Sequence, residues 1–98
     1  MAIRTFGDVA ESLWNTIESR KASDPLESYT AAMLTGHEDK LLKKLGEEAT
    51  EVVMAAKDAD RAQLRYEAAD LVYHLLVVCE RWEVTLDDLA AELVSRSR

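Results

Sequence analysis

Ninety-eight residues, 48% of them apolar with only one Pro and three Gly, make a single domain, residues 1–98, and exclude a disordered or loop-rich chain. A core of this size buries a modest share of the chain's surface, so self-association is an expected supplement. Nineteen Asp and Glu against twelve Lys and Arg give a net charge of −7, which excludes generic binding to nucleic acid or an anionic membrane but leaves room for a local basic patch on phosphate.

Thr5 followed three residues later by Asp8 has the pattern of a capping box. Val9, Leu13, Trp14 and Ile17 then recur at helical spacing and predict a first helix ending near Arg20 and Lys21. The segment ASDPLE, 22–27, holds the only Pro and reads as a loop. Ser28 can cap a short helix through Tyr29, Ala32, Met33 and Leu34, with Gly36 as its end. From about Glu38 to Asp58 the chain is dense in Leu, Lys, Glu and Ala, predicting a long helix. KDAD, 57–60, is a turn, a second long helix runs from Arg61 to about Trp82, and Thr85-x-x-Asp88 caps a last one through Leu86, Leu89, Leu93 and Val94.

The expected fold is all-α, an antiparallel bundle of about four to five helices. Between Leu71 and Cys79 the second long helix is apolar nearly all round, so it packs on several sides at once, and a second copy of the chain is the expected cover. That same run, LVYHLLVVC, is far shorter than the ~20 residues of a membrane span, and neither a signal peptide nor an anchor is expected. Cys79 stands alone within it and reads as a small buried hydrophobe, which fits a reducing, cytoplasmic setting. Trp14 and Trp82 read as core or interface residues, and His74 as a hydrogen-bonded core residue.

The acidic residues of the two long helices break the pattern. At ~100° per residue, Leu41, Leu45, Val52 and Ala56 form one stripe of the first long helix, and Glu48 falls close to its axis, with Glu51 at the flank and Glu47 further round. In the second, Glu67 shares its face with Leu64, Leu71, His74, Leu75 and Val78, and Asp70 lies one turn on at the flank. An ionised carboxylate removed from water costs several kcal/mol unless it is paired or bound to metal. Antiparallel helices joined at KDAD would set Glu48-x-x-Glu51 opposite Glu67-x-x-Asp70 and gather four carboxylates. An all-oxygen acidic site of that kind suits Mg²⁺, which shares its coordination with substrate phosphates. Zinc would want Cys or paired His, and a ferritin-like di-iron centre two Glu-x-x-His elements. A plain surface pair of Lys44 with Glu48 explains less, because Lys before Glu is the weaker orientation on a helix.

Three segments, SYTAAML at 28–34, KKLGEEATEVVMAAKD at 43–58 and EAADLVYHLLVVCE at 67–80, closely resemble the phosphoribosyl-ATP pyrophosphohydrolase family, over nearly the whole chain. The paired acids alone resemble the wider all-α MazG-type nucleoside triphosphate pyrophosphohydrolases. Ser28-Tyr29-Thr30-Ala31, Lys44 to Glu48 and the Tyr73-His74 pair narrow the resemblance. Family members usually carry glycine immediately before the acidic pair opening the long helix, where this chain has His37 after Gly36. The resemblance implies Mg²⁺-dependent hydrolysis of phosphoribosyl-ATP to phosphoribosyl-AMP and pyrophosphate, the second step of histidine biosynthesis, by a stand-alone homodimer.

On this reading Glu48, Glu51, Glu67 and Asp70 are the expected metal ligands, and Glu47 and Glu48 the expected catalytic carboxylates, Glu47 orienting or deprotonating the water. Lys44, Lys40, Arg20 and Lys21 are candidates for phosphate, and Ser28, Tyr29 and Thr30 for ribose or phosphate. Surface lysines balancing nearby acids, a capping Ser and a packed Tyr would leave the same traces in sequence. Two other readings compete: a house-cleaning pyrophosphohydrolase of MazG or dUTPase type, and a non-enzymatic helical dimerisation module.

Overall fold

Each α-helix among the described residues begins at a side chain that accepts a hydrogen bond from the backbone of its first turn, satisfying an N–H that the helix leaves without an internal partner. In the computed structural model, which describes residues 4–97, Thr5 caps α1 (Phe6–Ser19) and Ser28 caps α2 (Tyr29–Thr35). His37 caps α3 (Glu38–Lys57), Asp60 caps α4 (Arg61–Arg81) and Thr85 caps α5 (Leu86–Ser95). The Thr5–Asp8 and Thr85–Asp88 capping boxes are both complete. A single 3₁₀ turn, Arg20–Ala22, extends α1 toward the loop. No strand occurs among the described residues, and no helix there is long and apolar enough to cross a membrane.

Helices α3 and α4 form the antiparallel hairpin that carries most of the interhelical packing, with α1 lying on α4 and α2 wedged against both long helices. The hairpin turns at Ala59, whose φ of 54° lies in the left-handed region. The bonds from Ala59 N–H to Ala56 O and from Asp60 N–H to Ala55 O close α3. A second such closure, at Glu83 with φ 61°, ends α4. The core is Trp14 and Ile17 of α1, Met33 and Leu34 of α2, Leu41 of α3, and Leu76, Val77 and Cys79 of α4, with Leu86 and Leu89 of α5 packed on it.

Two details depart from the helical stripes expected. In α3 Ala55 is buried and Ala56 exposed; in α4 Leu76 and Val77 fill the core while Leu75 is 42% exposed. A run apolar on every side does not announce which side turns inward; the partner helices decide it. Trp14 is buried as expected, whereas Trp82 is half-exposed under the Arg81 guanidinium. That Arg81 also donates to the carbonyls of Met33 at 2.8 Å and Gly36 at 2.7 Å, tying down the C-terminal end of α2. A Cβ on Gly36 would stand 2.6 Å from Ala32 O, so only glycine fits this turn. With Gly36 used there, His37 supplies the α3 cap through Nδ1, which accepts from the Asp39 N–H at 3.2 Å.

Candidate active site

Because α3 and α4 run antiparallel about Ala59, positions equally far from it face each other. Glu48 meets Asp70, and Glu51 meets Glu67. One carboxylate oxygen from each of Glu48, Glu67 and Asp70 lies within 4.8 Å of the other two. Glu48 is 1% exposed and Glu67 6% exposed, Asp70 is partly exposed, and Glu51 borders the group from the solvent side.

Each buried acid is half satisfied. Lys44 Nζ lies 2.7 Å from Glu48 Oε1, and Gln63 Nε2 donates to Glu67 Oε1 at 2.7 Å. The second oxygens, Glu48 Oε2 and Glu67 Oε2, are buried with no hydrogen-bond donor among the described residues. Such orphaned, charged oxygens are costly in a protein interior. The Lys44 ammonium holds the Glu48 carboxyl down to about 2, against the effect of burial. The facing Glu67 carboxylate, then loss of solvent and the charge of Glu48, push Glu51 up to about 7. Loss of solvent, then Glu48, raises Asp70 as well. Several acids crowded at one point cannot all ionise cheaply unless positive charge joins them. Orphaned oxygens, oxygen-only donors and crowding together fit a hard divalent cation, with Glu48, Glu67 and Asp70 as the core donors and Glu51 within reach.

The remaining candidates are placed as follows. Glu47 is exposed on α3 next to Glu48. Lys40 and Arg20 are exposed, and neither has an ion-pair partner among the described residues. Lys44 is the ion-pair partner of Glu48 and remains 39% exposed at its side chain. The Ser28 hydroxyl is engaged as the α2 cap, accepting from Ala31 N–H at 3.1 Å. Tyr29 OH bonds His74 Nε2 at 2.9 Å, and Thr30 and Tyr73 share a hydrogen bond between their hydroxyls. Burial pushes the Tyr29 phenol up, with Lys44 opposing. His74 is buried, as expected of a core histidine.

Clefts open on two sides of the acids. One, of about 550 Å³, is lined by Ala62, Arg65, Tyr66, Ala69, Asp70 and Tyr73; another, of about 230 Å³, includes Glu51, Asp58, Asp60, Gln63 and Glu67. The larger has the volume of an ordinary small-molecule site. Sequence reasoning missed Gln63 and Arg65, although Gln63 at i, i+4 from Glu67 was a readable signal. It also missed Glu80, 4% exposed, whose Oε1 lies 2.5 Å from Lys21 Nζ well away from Ala59. No local pattern links residues so distant in sequence. Lys21, named beside Arg20 as a phosphate candidate, is instead engaged by this buried acid.

Residues 10–97 match the model of the phosphoribosyl-ATP pyrophosphohydrolase family. A phosphoribosyl-ATP pyrophosphatase of Haloarcula marismortui is 51% identical over 92% of this chain and 94% of its own length. One of Haloquadratum walsbyi is 50% identical over 90% of each chain, and one of Nitrosomonas eutropha 46% identical over 90% of this chain and 75% of its own. The aligned span takes in α2, both arms of the α3–α4 hairpin and all four acids gathered around Ala59. With a match of this extent and a hairpin that draws those acids together, the chain belongs to the phosphoribosyl-ATP pyrophosphohydrolase family.

Proposed function

We propose that this chain hydrolyses phosphoribosyl-ATP between its α and β phosphates, releasing phosphoribosyl-AMP and pyrophosphate in histidine biosynthesis. The observation that carries the reading is the convergence of Glu48, Glu67 and Asp70 in a chain about half identical to phosphoribosyl-ATP pyrophosphatases over nearly its whole length. Glu48, Glu51, Glu67 and Asp70 are the proposed Mg²⁺ ligands, direct or through water. When bound, Mg²⁺ supplies charge neutralisation at the phosphate oxygens and a more acidic water.

The chain's own residues supply the rest. Lys44 keeps Glu48 ionised and has further N–H donors to offer a phosphate oxygen at its exposed side. Glu47, exposed beside Glu48, is the proposed acceptor of the proton from the attacking water. Arg65, on the wall of the larger cleft, adds a cation that offsets the −7 charge of the chain toward a polyanion. Lys40 and Arg20 are further proposed phosphate contacts. The hydroxyls of Tyr29 and Thr30 face inward partners, so their proposed substrate contacts use the remaining lone pairs.

Homodimerisation and a cytoplasmic setting are part of the proposal. Phe6, Val9 and Tyr66 are exposed by 74%, 46% and 67%, and an apolar groove of about 360 Å³ runs between α1 and α4 past Leu13 and Val72. A continuous apolar surface of this kind is what a second copy would cover. Pyrophosphate release should be measured on phosphoribosyl-ATP, dUTP and the common triphosphates, with Mg²⁺ and with EDTA. Mg²⁺-dependent turnover of phosphoribosyl-ATP alone is expected. Rapid turnover of the free triphosphates with none of phosphoribosyl-ATP would move the chain to the house-cleaning class, and no turnover at all would favour the dimerisation module.

A further inference from the structure

His74 lies behind the acids, 2% exposed, with both ring nitrogens engaged. Nδ1 is 2.8 Å from the Asp70 carbonyl oxygen and 3.2 Å from Asp70 Oδ1. A backbone carbonyl only accepts, so the hydrogen on that side belongs to Nδ1. A neutral imidazole holds one N–H, which makes Nε2 the acceptor and the Tyr29 hydroxyl its donor at 2.9 Å. The ring is locked in this orientation by edge contacts with Tyr73 at 4.9 Å and Tyr29 at 5.9 Å between centroids.

We propose that Tyr29, His74 and Asp70 form a one-way hydrogen-bond relay in which each hydrogen points toward Asp70, and that His74 is the positioning residue that aims the Asp70 carboxylate at the cation. The inference rests on the reading of the acids as a Mg²⁺ site. The Nδ1–H donates to the Asp70 carbonyl, and its positive edge, 3.2 Å from Asp70 Oδ1, attracts that carboxylate oxygen as well. The same relay joins α2 to the site. Its N-terminal Tyr29 is the outer donor, while Arg81 fastens its other end, so the orientation of α2 is transmitted to the rotamer of one metal ligand.

Two measurements test this. Long-range ¹H–¹⁵N correlation spectra of the metal-free protein, with His37→Gln used to assign the two histidines, should show His74 as the Nδ1–H tautomer. An Nε2–H tautomer or an imidazolium overturns the relay. Mn²⁺ affinity, followed by the paramagnetic resonance of the free ion, separates the two sides of the ring. His74→Asn places an amide N–H where Nδ1–H was and should bind Mn²⁺ within about threefold of the native protein. His74→Gln reaches the Tyr29 side, leaves Asp70 without its donor, and should bind about 10–100-fold more weakly. Native affinity in His74→Gln, or equal weakening in both variants, overturns the positioning role. Should the native protein bind no Mn²⁺, the metal reading fails, while the spectrum still decides the relay.

Discussion

Glu67→Gln should make the metal-free protein more stable and the metal-loaded protein impossible to form. The substituted side chain keeps Oε1 as acceptor for Gln63 and replaces the orphaned Oε2 by an NH₂ that can donate to Glu51 or Glu48. It also removes one charge from a group whose oxygens lie within 4.8 Å of one another. Two unit charges at that separation repel by about 3.5 kcal/mol at an effective dielectric of about 20. Solvent at the open side reduces this, so a gain of about 2 kcal/mol is expected. At about 0.2 kcal/mol per kelvin for a chain of this length, that raises the metal-free melting temperature by about 10 °C. The native protein should start lower and gain about 7 °C when Mg²⁺ reaches tenfold its dissociation constant, a binding term of about 1.4 kcal/mol. Circular dichroism melts of both proteins, in EDTA and along a Mg²⁺ series, measure all these quantities. A variant less stable than the native protein in EDTA, beside a native melt indifferent to Mg²⁺, would refute the reasoning and make Glu67 an ordinary structural acid.

Other outcomes follow from the same geometry. In the metal-free protein Glu51 is pushed up to about 7 from 4.5, so its contribution to stability is complete below 4.5 and is lost as pH rises through 7; the raised Asp70 acts in the same sense. Glu48, held at about 2, contributes above 4.5 and loses that contribution as pH falls toward 2. Melting temperature in EDTA should therefore fall between pH 5 and 7, and fall less with Mg²⁺ present; a rise over that range in EDTA contradicts the crowding. Lys21→Met strands the buried Glu80 carboxylate and should cost about 2 kcal/mol in urea unfolding, below the usual cost of breaking a buried pair because Lys21 is half-exposed. Ala59→Gly relieves the left-handed strain at the hairpin turn and should raise stability by about 0.5 kcal/mol, read from the same titrations, with Mg²⁺ affinity unchanged.

Local rules carried much of this fold. Thr5, Ser28 and Thr85 announce their helices, and Pro25 and the KDAD turn divide them, because capping and chain reversal are decided within a few residues. The acids at 48, 51, 67 and 70 were legible together, since two helical periods and one turn suffice to bring them face to face. What escaped reading depends on contacts between distant segments. Lys21 with Glu80, Tyr29 with His74, and Thr30 with Tyr73 each need α1 or α2 docked on α4 before either partner has a reason to be where it is. The choice of Ala55 over Ala56, and of Leu76 over Leu75, is of the same kind: hydropathy cannot rank neighbours that are equally apolar. His37 went unread as a cap because histidine is a rare one, adopted here where Gly36 is already committed to the close approach at Ala32.

The mirror arrangement of the acids about Ala59 limits how such a chain can drift in length. One residue inserted between Glu51 and Glu67 would turn everything beyond it by ~100° and slide it by ~1.5 Å, unmatching both facing couples at a stroke. The segment 22–27, which lies outside the two arms, can absorb insertions with no such penalty. Relatives should therefore differ in length before α3 and after α4, and keep the count of residues between the innermost acids constant.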